Sequence, residues 1–296
     1  METDRLLAQE AEAWDAFGAL VASLDRERFE EPTVTPEGWS VKDVLVHVAC
    51  WLDDCGRILE GIRDGAYDPA TAEEETAGYV ERVNAEHAMR ARTMSVAAAD
   101  ALLIEGRTRA RGAFSALERI DTKAWGWFEE SGPMHYAKHA HDLSAWAAGA
   151  PPDPEVGPLL QEETDAWVPL AAALDALPAS VAVGAPPGWS AGDVAFHIAR
   201  WLEIAAADVE ANRGWAHAGE PGNDELVDAM NDRFLQEGRA SDPGAVRARL
   251  ERARTRLRAA LARTVTPSAE AKEWFRTNGV EHYAEHVDDL RIDHDG

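Results

Sequence analysis

The sequence predicts an all-α protein built as two successive four-helix bundles, and three observations predict it. The chain is written twice, apolar residues recur at helical spacing through both copies, and no run of alternating β-branched residues occurs anywhere. Residues 38–52, GWSVKDVLVHVACWL, align with residues 188–202, GWSAGDVAFHIARWL. Further along, Asn84 pairs with Asn231, Arg107 with Arg254, Trp127 with Trp274, and HYAKHAHDL at 135–143 with HYAEHVDDL at 282–290. The offset is 150 in the first block and 147 in the second, which a three-residue length difference after the second helix explains. Between the copies lies APPDPEVGP at 150–158, whose prolines predict a stiff linker between a bundle at 1–149 and a second at 159–296.

Each element has its own local cause. Leu6, Leu7, Trp14, Phe17, Val21 and Leu24 share one face of a first helix, as do Trp167, Leu170, Leu174 and Leu177 in the second copy. Ser40 and Ser190 each stand three residues before an Asp, Asp43 and Asp193, a capping-box pattern that starts helix two. A short crossover helix falls around Asn84 and Asn231. Helix three is the Ala- and Arg-rich run from about Val96 to Ile120, repeated from Gly244 to Arg263. Helix four is expected to begin after Gly132 and near Gly279, where glycine interrupts the pattern.

Composition narrows the function. The chain has 296 residues, 46% apolar and 28% charged, enough for two cores without a disulfide framework. Cys50 and Cys55 fall five apart on one helix and point in different directions, so they read as two reduced thiols of a cytoplasmic protein. The opening METDRLLAQE has acidic residues where a signal peptide has an apolar core, and no apolar run approaches a membrane span. A net charge of −25 repels phosphate backbones, so nucleic acid is excluded as the main partner. The acidic surplus is divided between the copies, which hold 28 acidic against 15 basic residues up to position 150 and 26 against 14 beyond it. It reads as general solubility.

Six of the ten histidines occupy repeated positions. His135 and His139 are i,i+4 neighbours on helix four, as are His282 and His286, so each pair shares one helical face. If helix two packs against helix four, His47 joins the first pair and His197 the second. Three neutral imidazoles suit a divalent transition ion such as Zn²⁺, Ni²⁺ or Fe²⁺ with a coordination position left open, and do not suit Mg²⁺ or Ca²⁺. The competing reading is a buried polar network that orients the bundle. Retention of the trio in both copies, while Cys50/Arg200 and Lys138/Glu285 differ, favours metal.

Secondary candidates follow from position. Asp43 and Asp193 either orient the helix-two histidines or only cap their helix, and Asp142 and Asp289 either orient the last histidine or meet solvent. Tyr136 and Tyr283 offer a hydroxyl to a substrate oxyanion or pack in the core with that hydroxyl satisfied. The recurring tryptophans mark core positions, with one or two available to line a pocket above the ion. His87, His141, His217 and His294 have no repeat partner and read as surface residues.

GWSVKDVLVHVACW followed by HYAKHAHDLSAW, with the matching pair in the second copy, resembles the DinB/YfiT-like superfamily of four-helix proteins over nearly the whole chain. Trp51 after the helix-two histidine, Asn84 of the crossover and the His135–Tyr136 pair are similar to its ClbS/DfsB branch in particular. The resemblance implies that His47, His135 and His139, then His197, His282 and His286, are metal ligands. It implies thiol S-transfer, thiol-dependent isomerisation or hydrolysis of reactive natural products as candidate activities. Because single-copy members often dimerise, it also implies an intramolecular pseudo-dimer.

The function expected is therefore that of a metal-dependent enzyme acting on a small electrophilic molecule by hydrolysis or thiol transfer, in detoxification or self-resistance. The Ala- and Arg-rich composition suggests a GC-rich genome, in which mycothiol or another small thiol is the co-reactant. The alternative is a protein that sequesters a hydrophobic small molecule without turnover.

Overall fold

The computed structural model describes residues 2–290 apart from 36–37, 70, 74–75, 77, 184–187 and 221; His294 lies outside the described residues. The chain divides into two units, Met1–Pro152 and Asp153–Gly296. Among the described residues there is no strand, only a single antiparallel bridge between Ala182 and Ser190, and no helix is long and apolar enough to cross a membrane.

The first unit runs α1 (Glu2–Ser23), α2 (Val41–Arg63), α3 (Tyr79–Ala91), α4 (Val96–Ser115), α5 (Thr122–Glu129), a π-helical turn (Glu130–Met134) and α6 (His135–Ala147). The second repeats it as α7 (Val156–Ala176), α8 (Ala191–Glu210), α9 (Asn223–Arg239), α10 (Pro243–Arg263), α11 (Ala269–Arg276), a π turn (Thr277–Glu281) and α12 (His282–Asp289). In each unit the second and third long helices pack along one another, the crossover helix lies on the second, and the last helix lies on the first. The long helix of the centre, α2 or α8, is buried along most of its length, with Val44, Leu45, Val48 and Leu52 in one copy and Val194, Ile198, Ala199 and Leu202 in the other. Each fully buried Val, Leu or Ile side chain among them contributes about 1.5–3 kcal/mol.

Local chemistry sets the starts of these helices. Ser40 accepts from the backbone N–H of Asp43 while Asp43 accepts from that of Ser40, and Ser190 and Asp193 do the same. The glycine two residues before each cap, Gly38 or Gly188, has φ of +84° or +83°, a left-handed conformation that costs any side-chain-bearing residue. At Gly106 a Cβ would stand 2.5 Å from the carbonyl oxygen of Ala49, so the missing side chain is what lets α4 approach α2.

Three boundaries differ from the sequence expectation. Helix three ends at Ser115, five residues before Ile120. Helix α7 begins at Val156, so the last residues of the segment read as linker, including Pro158, are helical; a proline in the first turn has no intrahelical hydrogen bond to lose. Helix four begins at Thr122 and Ala269, well before Gly132 and Gly279, with Asp121 and Ser268 as its side-chain caps. Glycine and proline at 132–133 do not break it, because the chain passes through them as a π turn and resumes as α-helix at His135.

Each unit also buries an ion cluster between its first, third-long and last helices. Glu10 on α1 holds Arg107 (2.8 Å) and Arg111 from α4 and accepts from the Tyr136 hydroxyl at 3.1 Å. On α7, Glu163 grips Arg254 with both oxygens, at 2.7 and 2.9 Å, and Arg258 beside it. Burial pushes the Glu163 carboxyl up, but the two guanidinium charges outweigh that and hold it below its ordinary value.

Candidate metal centres

The π turns deliver the histidines. Directly after each, His135 or His282 opens the last helix, and His139 or His286 follows one turn later on the same face. Packing of α2 and α8 beneath them brings in His47 and His197. In each unit one ring nitrogen from every member of the trio lies within 4.8 Å of the other two. Nε2 of His47 is 3.2 Å from Nε2 of His135; Nε2 of His282 is 3.0 Å from that of His197 and 3.1 Å from that of His286. Imidazole nitrogens sharing one ion at about 2.0–2.1 Å stand about 2.9–3.4 Å apart between octahedral and tetrahedral angles, so these spacings fit.

Protonation also fits. Burial first, then the neighbouring imidazoles, push the pKa of His47 and His135 far down, and the same causes lower His282. Burial and His286 lower His197 to about 3. These rings are neutral at physiological pH and present lone pairs, which is what metal ligation requires. Nε2 of His139 is buried with no protein partner, while its Nδ1 faces Asp142 Oδ2 at 2.9 Å. His286 Nδ1 faces Asp289 Oδ2 at 2.7 Å. A carboxylate on Nδ1–H fixes the tautomer so that the Nε2 lone pair points at the common centre. Of the two roles open to Asp142 and Asp289, the structure places both against their histidines.

The two centres are held differently. His135 Nδ1 contacts the carbonyl oxygen of Glu130 in the π turn at 2.8 Å, whereas His282 Nδ1 is buried without a partner. Trp39 and Trp189 lie on the outer histidines, with centroids 4.7 Å from His47 and 5.2 Å from His197. The rings of Trp127 and His135 both stack on Trp51, at 6.4 and 6.0 Å. Trp51 Nε1 donates to Asn84 Oδ1 at 3.0 Å, and Trp201 to Asn231 at the same distance, which explains why the crossover asparagine recurs.

Other sequence candidates fall elsewhere. Asp43 and Asp193 are occupied by the caps of their own helices and do not reach the imidazoles; Nδ1 of His47 and of His197 has no partner. Tyr136 gives its hydroxyl to Glu10, and burial, reinforced by that carboxylate, raises its pKa well above the ordinary phenol value. Tyr283 is fully buried beside Glu163, with the same upward shift. Both tyrosines thus lie in the ion clusters, Tyr136 with its hydroxyl bonded and Tyr283 with its hydroxyl buried and unpartnered. His217 is exposed as expected, paired with Glu220. His87 and His141 are buried, at 7% and 2% exposure, and the surface reading of them is corrected. For His87 a signal existed: at the 147 offset its partner is Phe234, an apolar residue that also packs on the repeated tryptophan, as His87 does. Glu10 and Glu163, which organise the ion clusters, went unread because acidic residues on a first helix look like a solvated face.

These features define a class: paired helical bundles, each with a three-histidine centre between its second and last helices. The family model for the mycothiol maleylpyruvate isomerase N-terminal domain matches the chain twice, over residues 11–146 and 160–290, and the protein belongs to that family as a tandem duplication. No curated protein and no solved structure matches the chain at a significant level.

Proposed function

We propose that the protein is a metal-dependent enzyme that adds a small thiol, or water, to a compact electrophilic molecule. The observation that carries this is the convergence of three imidazoles in each unit, with His139 Nε2 buried and partnerless. A divalent ion held by His47, His135 and His139, or by His197, His282 and His286, would supply Lewis acidity that favours deprotonation of a thiol or water near neutral pH. The protein's own part is positional. Asp142 and Asp289 hold one imidazole of each trio in register, the Glu130 carbonyl holds His135, and Trp39 and Trp51 wall the first centre against bulk water. The family name supports mycothiol as the thiol. The ClbS/DfsB-like residues Trp51, Asn84, His135 and Tyr136 support a protective role against a reactive metabolite in the cytoplasm.

The test is elemental analysis of untagged protein alongside a variant with His47→Ala and His197→Ala together. About two equivalents of one transition metal per chain, lost in the variant with thiol consumption on a model epoxide, is the expected result. Metal content and turnover that survive the double substitution overturn the proposal. A second reading, capture of an aromatic ligand without turnover, draws on the second unit, where Trp215 stacks on Trp274 at 5.7 Å and Trp201 meets both Trp215 and Phe234 at 5.9 Å. Unchanged ligand recovered in stoichiometric amount from metal-replete protein would favour it.

A further inference from the structure

The first unit has a cavity of about 310 Å³ on the flank of α2, roofed by α3, whose lining includes Cys50, Asp54, Arg82, His87 and Arg90. It adjoins the metal centre through one shared wall, since the His87 ring lies 5.8 Å from that of His47 and 5.7 Å from Trp51. Four carboxylates and three guanidiniums line it, and what sets the cavity apart is how they are paired. Asp54 is paired with Arg57 at 3.0 Å, Asp53 with Arg109 at 3.0 Å, and Glu73 and Glu86 are both held by Arg82. Arg90 is different. Among the described residues no carboxylate pairs with it, and its guanidinium meets only the thiol of Cys50, at 3.5 Å. Beside it, His87 is more than nine-tenths buried, its Nδ1 has no partner, and its Nε2 stands 3.9 Å from Asp54, too far for a hydrogen bond.

The second unit has replaced every one of these features. Arg200 stands where Cys50 does, Phe234 where His87 does and Glu237 where Arg90 does. There the guanidinium of Arg200 lies over Phe234 at 5.0 Å, pairs with Glu203 at 2.5 Å and stands 3.6 Å from Glu237, so carboxylates face the cation. The same corner of the fold gives its cation carboxylate partners in one copy, and in the other leaves Arg90 with none among the described residues and His87 with an unpartnered nitrogen.

We propose that the α2–α3 cavity of the first unit is an anion subsite, in which the Arg90 fork and His87 receive a carboxylate-sized group of a ligand whose remainder reaches towards the His47 centre. The planar guanidinium matches a carboxylate with two donors, and the buried imidazole adds a donor that water cannot easily replace. Every lining carboxylate already has a guanidinium against it, Asp54 that of Arg57, Asp53 that of Arg109, and Glu73 and Glu86 that of Arg82, which limits their repulsion of the ligand. The second unit, lacking the subsite, does not take this ligand, so the two centres differ in what they bind. The inference rests on the proposed function for the ligand's orientation, and it is tested where metal plays no part.

The experiment is titration of the metal-free full chain with benzoate, followed by the ¹H–¹⁵N signals of the histidine rings. The expected result is a saturable shift of the His87 signals in the millimolar range with the His197 signals unmoved. Arg90→Gln should weaken that binding by tenfold or more. His87→Phe, which installs the second unit's own residue and so preserves packing, should weaken it as well when followed by tryptophan fluorescence. Competition by acetate but not by sulfate identifies carboxylate geometry as the determinant; equal competition by sulfate overturns the carboxylate assignment. No saturable shift, or a shift that survives Arg90→Gln, overturns the subsite. Metal content measured on the same protein before the ion is stripped can fail independently, which separates this inference from the metal reading.

Discussion

Asp142→Ala tests the centre at its most exposed assumption, that a carboxylate sets the tautomer of a ligand histidine. In the structure Asp142 Oδ2 is 2.9 Å from Nδ1 of His139, and the two side chains are 12% and 2% exposed. Water has little access to take over the lost contact. Removing such a partner costs about 10–100-fold in metal affinity, roughly 1.4–2.7 kcal/mol. The second unit gives an internal comparison. Asp289 and His286 are 23% and 10% exposed, so water can replace the carboxylate, and Asp289→Ala belongs at the lower end of that range. Asp142→Asn should lie between alanine and the native residue, because an amide oxygen still accepts from Nδ1–H without the charge. The assay is competition of each centre for Zn²⁺ against a chromophoric chelator, with the opposite centre silenced by His47→Ala or His197→Ala. If Asp142→Ala and Asp289→Ala both leave affinity within about twofold, the carboxylates are not orienting the ligands and the argument for pre-formed centres fails.

Two further predictions concern the scaffold. Glu163→Gln, which strands Arg254 and Arg258 at 1% and 5% exposure, should destabilise the protein by about 3–5 kcal/mol in urea unfolding. Glu10→Gln should cost clearly less, because Arg107 and Arg111 are 21% and 30% exposed; equal costs would show that burial does not set the scale. The Glu163 carboxyl is held below its ordinary value of 4.5, so its contribution is complete above about pH 4.5 and is lost as pH falls through the lower folded value, at up to about 1.4 kcal/mol per pH unit. That acid-limb slope should shrink in Glu163→Gln. Gly38→Ala and Gly188→Ala, with positive φ and no described atom within 4 Å of the new methyl, should each cost about 1–2 kcal/mol; a neutral result at both would mean that the turn relaxes freely.

The duplication made much of this molecule legible before any coordinates. Caps at Ser40 and Ser190, the helical faces and the histidine trios all follow short-range rules that a repeat doubles, and the trios do meet. What escaped the sequence is what those rules cannot encode. A π turn adds one residue to a helical period, so Gly132–Pro133 reads as a boundary in the sequence and the start of helix four is placed after it. Glu10 and Glu163 gain meaning only from arginines about a hundred residues away. His87 was set aside for want of a histidine partner, though its alignment with Phe234 marks an interior position.

The π turn also carries an arithmetic that sets the fate of the centre. Trp127 and His135 are eight residues apart, which on an uninterrupted α-helix separates their directions by about 80°. With one residue absorbed by the bulge the separation falls to about 20°, and both rings land on Trp51. Losing a single codon from 130–134 would swing His135 and His139 about a quarter-turn out of reach of His47 while leaving every histidine in the gene. Descendants of this chain could thus lose the centre, and its ancestors could have acquired it, through one in-frame indel that no inventory of ligand residues would register.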